Sequence, residues 1–412
     1  MNLKAGVKAR SSTAYAAAKL YMQTGIDLLA SDRWQCQYDL TLALYEGVAN
    51  SAYLNTDFEQ IEQFAEIVLN HAHSWLDRID IYETKILVCV AQNQQLEALR
   101  LGREVLEALG VPLPEQPTQA DIGQAIQHTQ TLLGGREIES LLELPEMTAP
   151  DKKAAMVMLA RIMPPAYQAA PNLLLLIILA HIDLSVQYGN ALESANGYVL
   201  FGLIQIAVLG NIDAGGRFGQ LGMNLSQRIH APKLTARIIF TFNCLLRHWQ
   251  EPAKDTLPGY LQAYASGLEV GDIEHAALGL TYYDLTAYYS GQELTSLKRE
   301  IEGHCKIVQQ LRQDNYLYTQ RIYCQAIANL LETRTEPDQL DGEYCYEAET
   351  ISLLVKTNDM TALYCIYFNK LLLCYLFQRY EQSLENVSLA KQYLGATVHL
   401  LLIKGVWWGF FT

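Results

Sequence analysis

Residues Asp359–Leu394 read DMTALYCIYFNKLLLCYLFQRYEQSLENVSLAKQYL. The first half is almost wholly apolar, too continuous for a surface helix and too long for a strand. In the second half Tyr380, Leu384, Val387, Ala390 and Leu394 fall at helical spacing, while Glu381, Gln382, Glu385 and Gln392 take the opposite face. Only Phe377-Gln378-Arg379 separates the two, which is the length of a tight helix–helix turn. A buried helix followed by a half-buried one is the repeating unit of an α-solenoid. On this pattern the buried helix Met360–Phe377 expects cover from a further repeat, and Leu371, Leu372 and Leu376 are where exposed apolar surface is expected.

Working outward, the same hairpin recurs. Helices are expected over Ser12–Leu29, with Ser11 or Ser12 as N-cap, and over Trp34–Leu54 and Asp57–His73, where Thr56-Asp57-Phe58-Glu59 forms a capping box. Trp75–Gln92 and Leu96–Leu109 follow, ending at Gly110. Val111–Thr118 (VPLPEQPT) interrupts the array; Thr118 and Asp121 open a shorter helix to about Leu133, and Glu137–Glu146 forms a turn or two. Pro150 suits the first turn of the next helix, and Pro164-Pro165 is expected to break it. Further helices are expected over Asn172–Tyr188, Ala191–Leu209, Asp213–Ile229, Leu234–Trp249, Leu257–Val270, Asp272–Tyr289, Glu293–Leu311 and Asn315–Leu331, before a loop over Glu332–Asp341. The residues entering successive second helices are Phe58, Leu96, Ile212, Leu294 and Tyr380. Their separations lie near multiples of ~40 residues, as in helical-hairpin repeats. The expected fold is all-α, a solenoid of degenerate tetratricopeptide-like hairpins. Its runs are 1–110 and 151–395, with a proline-rich and acidic interruption with a short helix over 111–150 and an atypical tail over 396–412.

Composition narrows the function. Fifty per cent hydrophobic and 18% charged residues describe a globular chain. The net charge of −14 argues against a nucleic-acid or anionic-lipid surface. Met1–Arg10 carries Lys4, Lys8 and Arg10 with no apolar run behind it, so no signal peptide is expected. The apolar block Leu173–Ala180 is less than half a membrane span. None of the eight cysteines forms a C-x-x-C pair, which fits free thiols in a reducing cytoplasm.

Three stretches, Trp34–Leu69, Leu113–Ile122 (LPEQPTQADI) and Asp359–Leu394, carry a family resemblance. Leu144–Thr148, Phe242–Trp249 (FNCLLRHW) and Gly267–Ala276 (GLEVGDIEHA) support it. Together they resemble the helical-repeat segment of very long multi-sensor signalling proteins, best known from cyanobacteria. Those proteins join a serine/threonine kinase, a P-loop ATPase of the STAND type, this helical region, a GAF sensor and a histidine kinase. The resemblance runs from about Leu3 to Leu394. It implies a non-catalytic scaffold or regulatory segment whose partners are ATPase, GAF and histidine-kinase modules, in cis or in trans. The catalytic motifs of those modules are missing here: Gly134-Gly135 and Gly215-Gly216 are each followed by Arg and by no Lys-Ser/Thr, and there is no H-R-D or D-F-G. His399–Thr412 (HLLLIKGVWWGFFT) departs from the family's continuation, and its paired Trp with Lys404 is too short for a membrane anchor. The chain is therefore read as a fragment, or as the product of a split or frameshifted gene.

Other candidate sites reduce to structure. His71 and His73, about 200° apart on a helix, cannot share a metal, and His304-Cys305 lacks further ligands at a usable spacing. Glu137, Glu139, Glu143 and Glu146 read as a solvated face. No catalytic residue, cofactor or metal site is expected. Tyr282, Tyr283, Tyr288, Tyr289, Tyr316, Tyr318 and Tyr323 are the remaining candidates. Tyr buries area at low entropic cost and keeps a polar tip, which suits a groove for a peptide, a small effector or a neighbouring domain. A stand-alone regulator using such a groove is the alternative to the scaffold.

Overall fold

A computed structural model describes residues 1–412 except Thr13, Thr56, Ala231 and 398–412. The capping box at Thr56 and the terminal run His399–Thr412 thus lie outside the described residues. The fold is all-α, and no strand occurs among the described residues apart from an isolated bridge between Glu146 and Asn190. The chain forms two compact units, Met1–Gly197 and Tyr198–Thr412.

The first unit contains α1 (Asn2–Ser11), α2 (Tyr15–Asp27), α3 (Arg33–Cys36), α4 (Tyr38–Leu54), α5 (Phe58–His71), α6 (Ile79–Ala91), α7 (Gln95–Ala108), α8 (Gln119–Leu133), α9 (Pro150–Ala169) and α10 (Pro171–Tyr188). Sequential neighbours pack as hairpins: α1 on α2, α4 on α5, α6 on α7 and α9 on α10. One core gathers Met22, Trp34, Leu44, Tyr45, Val48, Val68 and Ile81. α11 (Ser194–Ala207) crosses the division. The second unit continues with α12 (Ile212–Arg228), α13 (Pro232–Leu245), α14 (Leu257–Val270), α15 (Ile273–Tyr289), α16 (Leu294–Gln310), α17 (Asp314–Leu331), α18 (Glu347–Thr357), α19 (Met360–Leu376) and α20 (Tyr380–Tyr393). Each helix from α12 to α16 packs on the next, and α19 is covered by α17, α18 and α20.

The turns share one backbone device. The residue after the helix C-cap is left-handed at Asn93, Gly291, Arg312 and Gln378. The following N–H then reaches back five residues, from Gln94 to Cys89 (2.7 Å), Gln292 to Ala287 (3.2 Å), Gln313 to Val308 (3.3 Å) and Arg379 to Cys374 (2.8 Å). This is the Schellman closure, which satisfies carbonyls that a helix end leaves unpaired. Helix starts are capped just as locally. Thr118 and Asp121 form the expected capping box. Asp272, Asn211 and Asp359 accept from the N–H of His275, Ala214 and Ala362.

Several sequence expectations need correction. The first helix is α1, and Ser11 and Ser12 close it rather than open α2: the Ser11 hydroxyl donates to the Lys8 carbonyl at 2.8 Å. Gly6 lets α1 approach α2, since a Cβ there would lie 2.6 Å from Met22 Cγ. The helix expected over Trp34–Leu54 is broken at Gln37 (φ −139°), and Trp34 is buried against Tyr45. Pro164-Pro165 does not break its helix; α9 runs through the pair. Prolines there remove the N–H partners of the Ala160 and Arg161 carbonyls. Ile162, Met163, Pro165 and Ala166 are all buried, so packing outweighs that loss. His73 lies outside α5, and the two imidazoles stack on separate rings, His71 on Trp34 (4.6 Å) and His73 on Tyr38 (3.8 Å).

The face that α20 buries also differs. Ser383, Asn386, Val387 and Ala390 face inward, while Tyr380 and Leu384 are 57% and 66% exposed. Ser383 donates to the Leu371 carbonyl (3.3 Å) and Asn386 Nδ2 lies 3.8 Å from Cys374 Sγ, so polar contacts with α19 set the rotation. Leu371 is buried and Leu372 half-buried, and of the three leucines expected at the surface only Leu376 is exposed. The apolar surface instead comprises Tyr375, Leu376, Phe377, Tyr380 and Leu384.

Candidate functional site

The seven tyrosines all belong to the second unit, on α15 and α17, and the structure divides them. Tyr282 is buried, edge-to-face with Phe240 at 5.0 Å. Tyr288, Tyr289 and Tyr323 form one aromatic cluster: Tyr323 lies 5.5 Å from Tyr288 and 5.9 Å from Tyr289, and Phe368 of α19 lies 6.0 Å from Tyr289. The Tyr289 and Tyr323 hydroxyls share a hydrogen bond of 2.8 Å. Burial pushes Tyr288 up to about 12, and Tyr289 and Tyr323 well above the ordinary phenol value, so these hydroxyls stay protonated.

The other three are half-buried. Tyr316 donates to Glu274 (3.3 Å) and Tyr283 to Glu300 (3.4 Å). Behind Tyr283 lies a polar node that the sequence reading did not assemble. Asp284 has no solvent exposure, yet it accepts from His304 Nδ1 at 2.6 Å and Gln320 Nε2 at 2.8 Å. One residue from each of α15, α16 and α17 therefore meets at a single carboxylate. Burial pushes the Asp284 carboxyl up, against the bonds from His304 and Gln320. Burial alone lowers His304, but the hydrogen bond and charge of Asp284 outweigh it and the net direction is up. The Tyr283 ring stands edge-on to His304 at 5.6 Å. The Asp284 carboxylate thus clamps three helices together.

Tyr318 opens onto a different feature. The loop after α17 folds back onto it: Asn329 Nδ2 donates to the Pro337 (3.0 Å) and Gln339 (2.6 Å) carbonyls, and Tyr344 N–H donates to Gln325 Oε1 (3.1 Å). Between this loop, α17 and the start of α18 lies a pocket of about 140 Å³. Tyr318, Arg321, Tyr344, Tyr346 and Glu349 form its polar and aromatic walls. Sequence reading missed the last four because Arg321 is one polar residue within α17 and the other three lie in, or just after, the long loop that brings them back to it. The run Tyr344-Cys345-Tyr346 after Asp341-Gly342 was the available signal.

No group of three His, Cys, Asp or Glu side chains suited to a metal occurs among the described residues. α10 is long and apolar enough to cross a membrane by length and composition, and half of that window is buried.

No family model matches the chain. Among curated proteins it is similar to hybrid signal transduction histidine kinase G of Dictyostelium discoideum, 18% identical over 300 residues. That match spans 66% of this chain and 9% of the kinase. Among solved structures it is similar to a Rap protein complexed with competence and sporulation factor, with a TM-score of 0.49, 9% identity, and coverage of 96% of this chain and 98% of that one.

Proposed function

We propose that the chain is a non-catalytic helical-repeat scaffold or regulatory segment in signal transduction, acting through protein contacts with sensor-kinase and ATPase modules. The observation that carries the reading is the 300-residue similarity to one stretch of a much longer histidine kinase. The helical hairpins of both units fit that role, because stacked repeats offer extended surfaces rather than one pocket. The exposed side chains of Tyr375, Leu376, Phe377, Tyr380 and Leu384 supply apolar surface on the last hairpin for a neighbouring module. Eight free thiols agree with a cytoplasmic setting. In this reading the proline-rich stretch 111–150 spaces two runs of hairpins, and the modules contacted are the P-loop ATPase, GAF and histidine-kinase domains of the multi-sensor family.

The test is capture of separately produced ATPase, GAF and histidine-kinase modules by the purified chain, alongside assays of ATP hydrolysis and autophosphorylation. The scaffold reading expects a stable complex with at least one module, weakened by Leu384→Asp, and no turnover. Turnover that survives repurification, or failure to capture any module, overturns it.

A second reading is a stand-alone regulator that takes a peptide or small effector on the tyrosine-bearing side of the second unit. The pocket beside Tyr318 favours it.

A further inference from the structure

The pocket between α17 and α18 has walls of two kinds. Tyr344 is a fixed wall: its hydroxyl donates to Glu302 at 2.5 Å, and the Lys298 ammonium sits 5.2 Å over its ring. Cys345 is committed as well, its thiol donating to the Thr350 hydroxyl at 3.3 Å. The remaining polar groups face the pocket mouth, with Arg321 and Tyr318 half-buried and Tyr346 and Glu349 exposed. Among the described residues Arg321 and Glu349 form no ion pair, and the hydroxyls of Tyr318 and Tyr346 have no hydrogen-bond partner. Their neighbours behave differently: Lys298, Arg334, Lys370 and Arg379 are all paired with carboxylates.

A guanidinium and a carboxylate that share one small pocket without touching each other ask for a ligand that touches both. Arg321 presents a planar fork suited to a carboxylate. Glu349 accepts from an ammonium, and tyrosine faces attract the same cation. A volume of about 140 Å³ is close to that of cavities that hold one benzene-sized molecule, so the ligand is small. The geometry points to a binding site for a free α-amino acid, its carboxylate on Arg321 and its ammonium on Glu349, between the rings of Tyr318 and Tyr346. This deepens the second reading above and leaves the scaffold reading to its own test.

The experiment is isothermal titration of the full-length protein with each free L-amino acid in turn, and with the N-acetyl derivative, carboxylate kept, of any that binds. Binding by at least one free amino acid is expected, with about tenfold or greater weakening in Arg321→Met and in Glu349→Gln. The exposed control Glu381→Gln leaves it unchanged, and circular dichroism checks that each variant is folded. Loss of the ligand's ammonium by acetylation should be felt less in Glu349→Gln than in the parent, since its partner is already gone. Equal affinity for the capped form, or indifference to both pocket substitutions, overturns the proposal. If no amino acid binds but a peptide does so with dependence on Tyr318, the effector face stands and the amino-acid site falls. If neither binds, both fall while module capture is unaffected.

Discussion

Nδ1 of His304 on α16 lies 2.6 Å from Oδ1 of Asp284 on α15, a carboxylate with no solvent exposure. Breaking one partner of a buried pair leaves the other charge uncompensated, at a cost of about 3–5 kcal/mol. His304→Ala should therefore destabilise the second unit by about that much, whereas Asp284→Asn, which keeps the shape and removes the charge, should cost less. Urea unfolding of the two variants compares them.

The same pair sets a pH dependence. His304 is raised above its ordinary value of 6.5, so the stability it contributes is complete below about 6.5 and is lost as pH climbs through its folded value. Asp284 is raised above its ordinary 3.8, so its contribution is complete below about 3.8 and is lost as pH climbs from there through its folded value. Both act in one direction. Wild type should lose stability relative to Asp284→Asn as pH rises from about 6 to about 9. A stability difference that stays flat across that range would contradict the assignment.

Pro164 is exposed and sits inside α9 without an N–H to give the Ala160 carbonyl. Pro164→Ala restores that bond and should stabilise the first unit by about 1–3 kcal/mol. Pro165→Ala should gain less, because Pro165 is buried and its ring packing is lost. Thermal unfolding of both variants gives the order.

Gly279 marks the crossing of α14 and α15. A Cβ there would lie 2.6 Å from the Tyr260 carbonyl oxygen and 2.9 Å from Tyr264 N, both backbone atoms that cannot swing aside. Gly279→Ala should cost about 1–3 kcal/mol or more by forcing the helices apart. Gly303→Ala, with open space around it, should be neutral or stabilising. Equal effects of the two substitutions would show that the crossing is not tight.

Tyr323→Ala removes a ring that is fully buried against Tyr288 and Tyr289. A loss of about 3–5 kcal/mol is expected, read by chemical denaturation. Tyr318→Ala, half-buried at the pocket edge, should cost far less stability. The contrast separates tyrosines that build the unit from those available to a ligand.

The hairpins were legible because their signals are local. Ile212, Leu294 and Tyr380 open α12, α16 and α20 where turn spacing places them, and Thr118 with Asp121 caps α8 as the sequence indicates. What was not legible depends on partners distant in the chain. The rotation of α20 follows from Ser383 and Asn386 meeting α19, which no amphipathic count reveals. The continuity of α9 through two prolines rests on burial of the residues around them. Tyr283 and Tyr289 look alike in sequence, yet one bonds Glu300 beside a buried carboxylate and the other sits in the aromatic cluster. Arg321 and Glu349 come together only because the loop between α17 and α18 doubles back, and residues 28 apart carry no common pattern.

The left-handed closures at Asn93, Gly291, Arg312 and Gln378 have an evolutionary corollary. Each reversal of chain direction is sealed by main-chain atoms, and four different turns reach it with Asn, Gly, Arg or Gln at the pivot. Side chains elsewhere in a hairpin are then released from specifying the bend and can drift with whatever surface they must match. Repeats built this way keep their shape long after their letters have ceased to resemble one another.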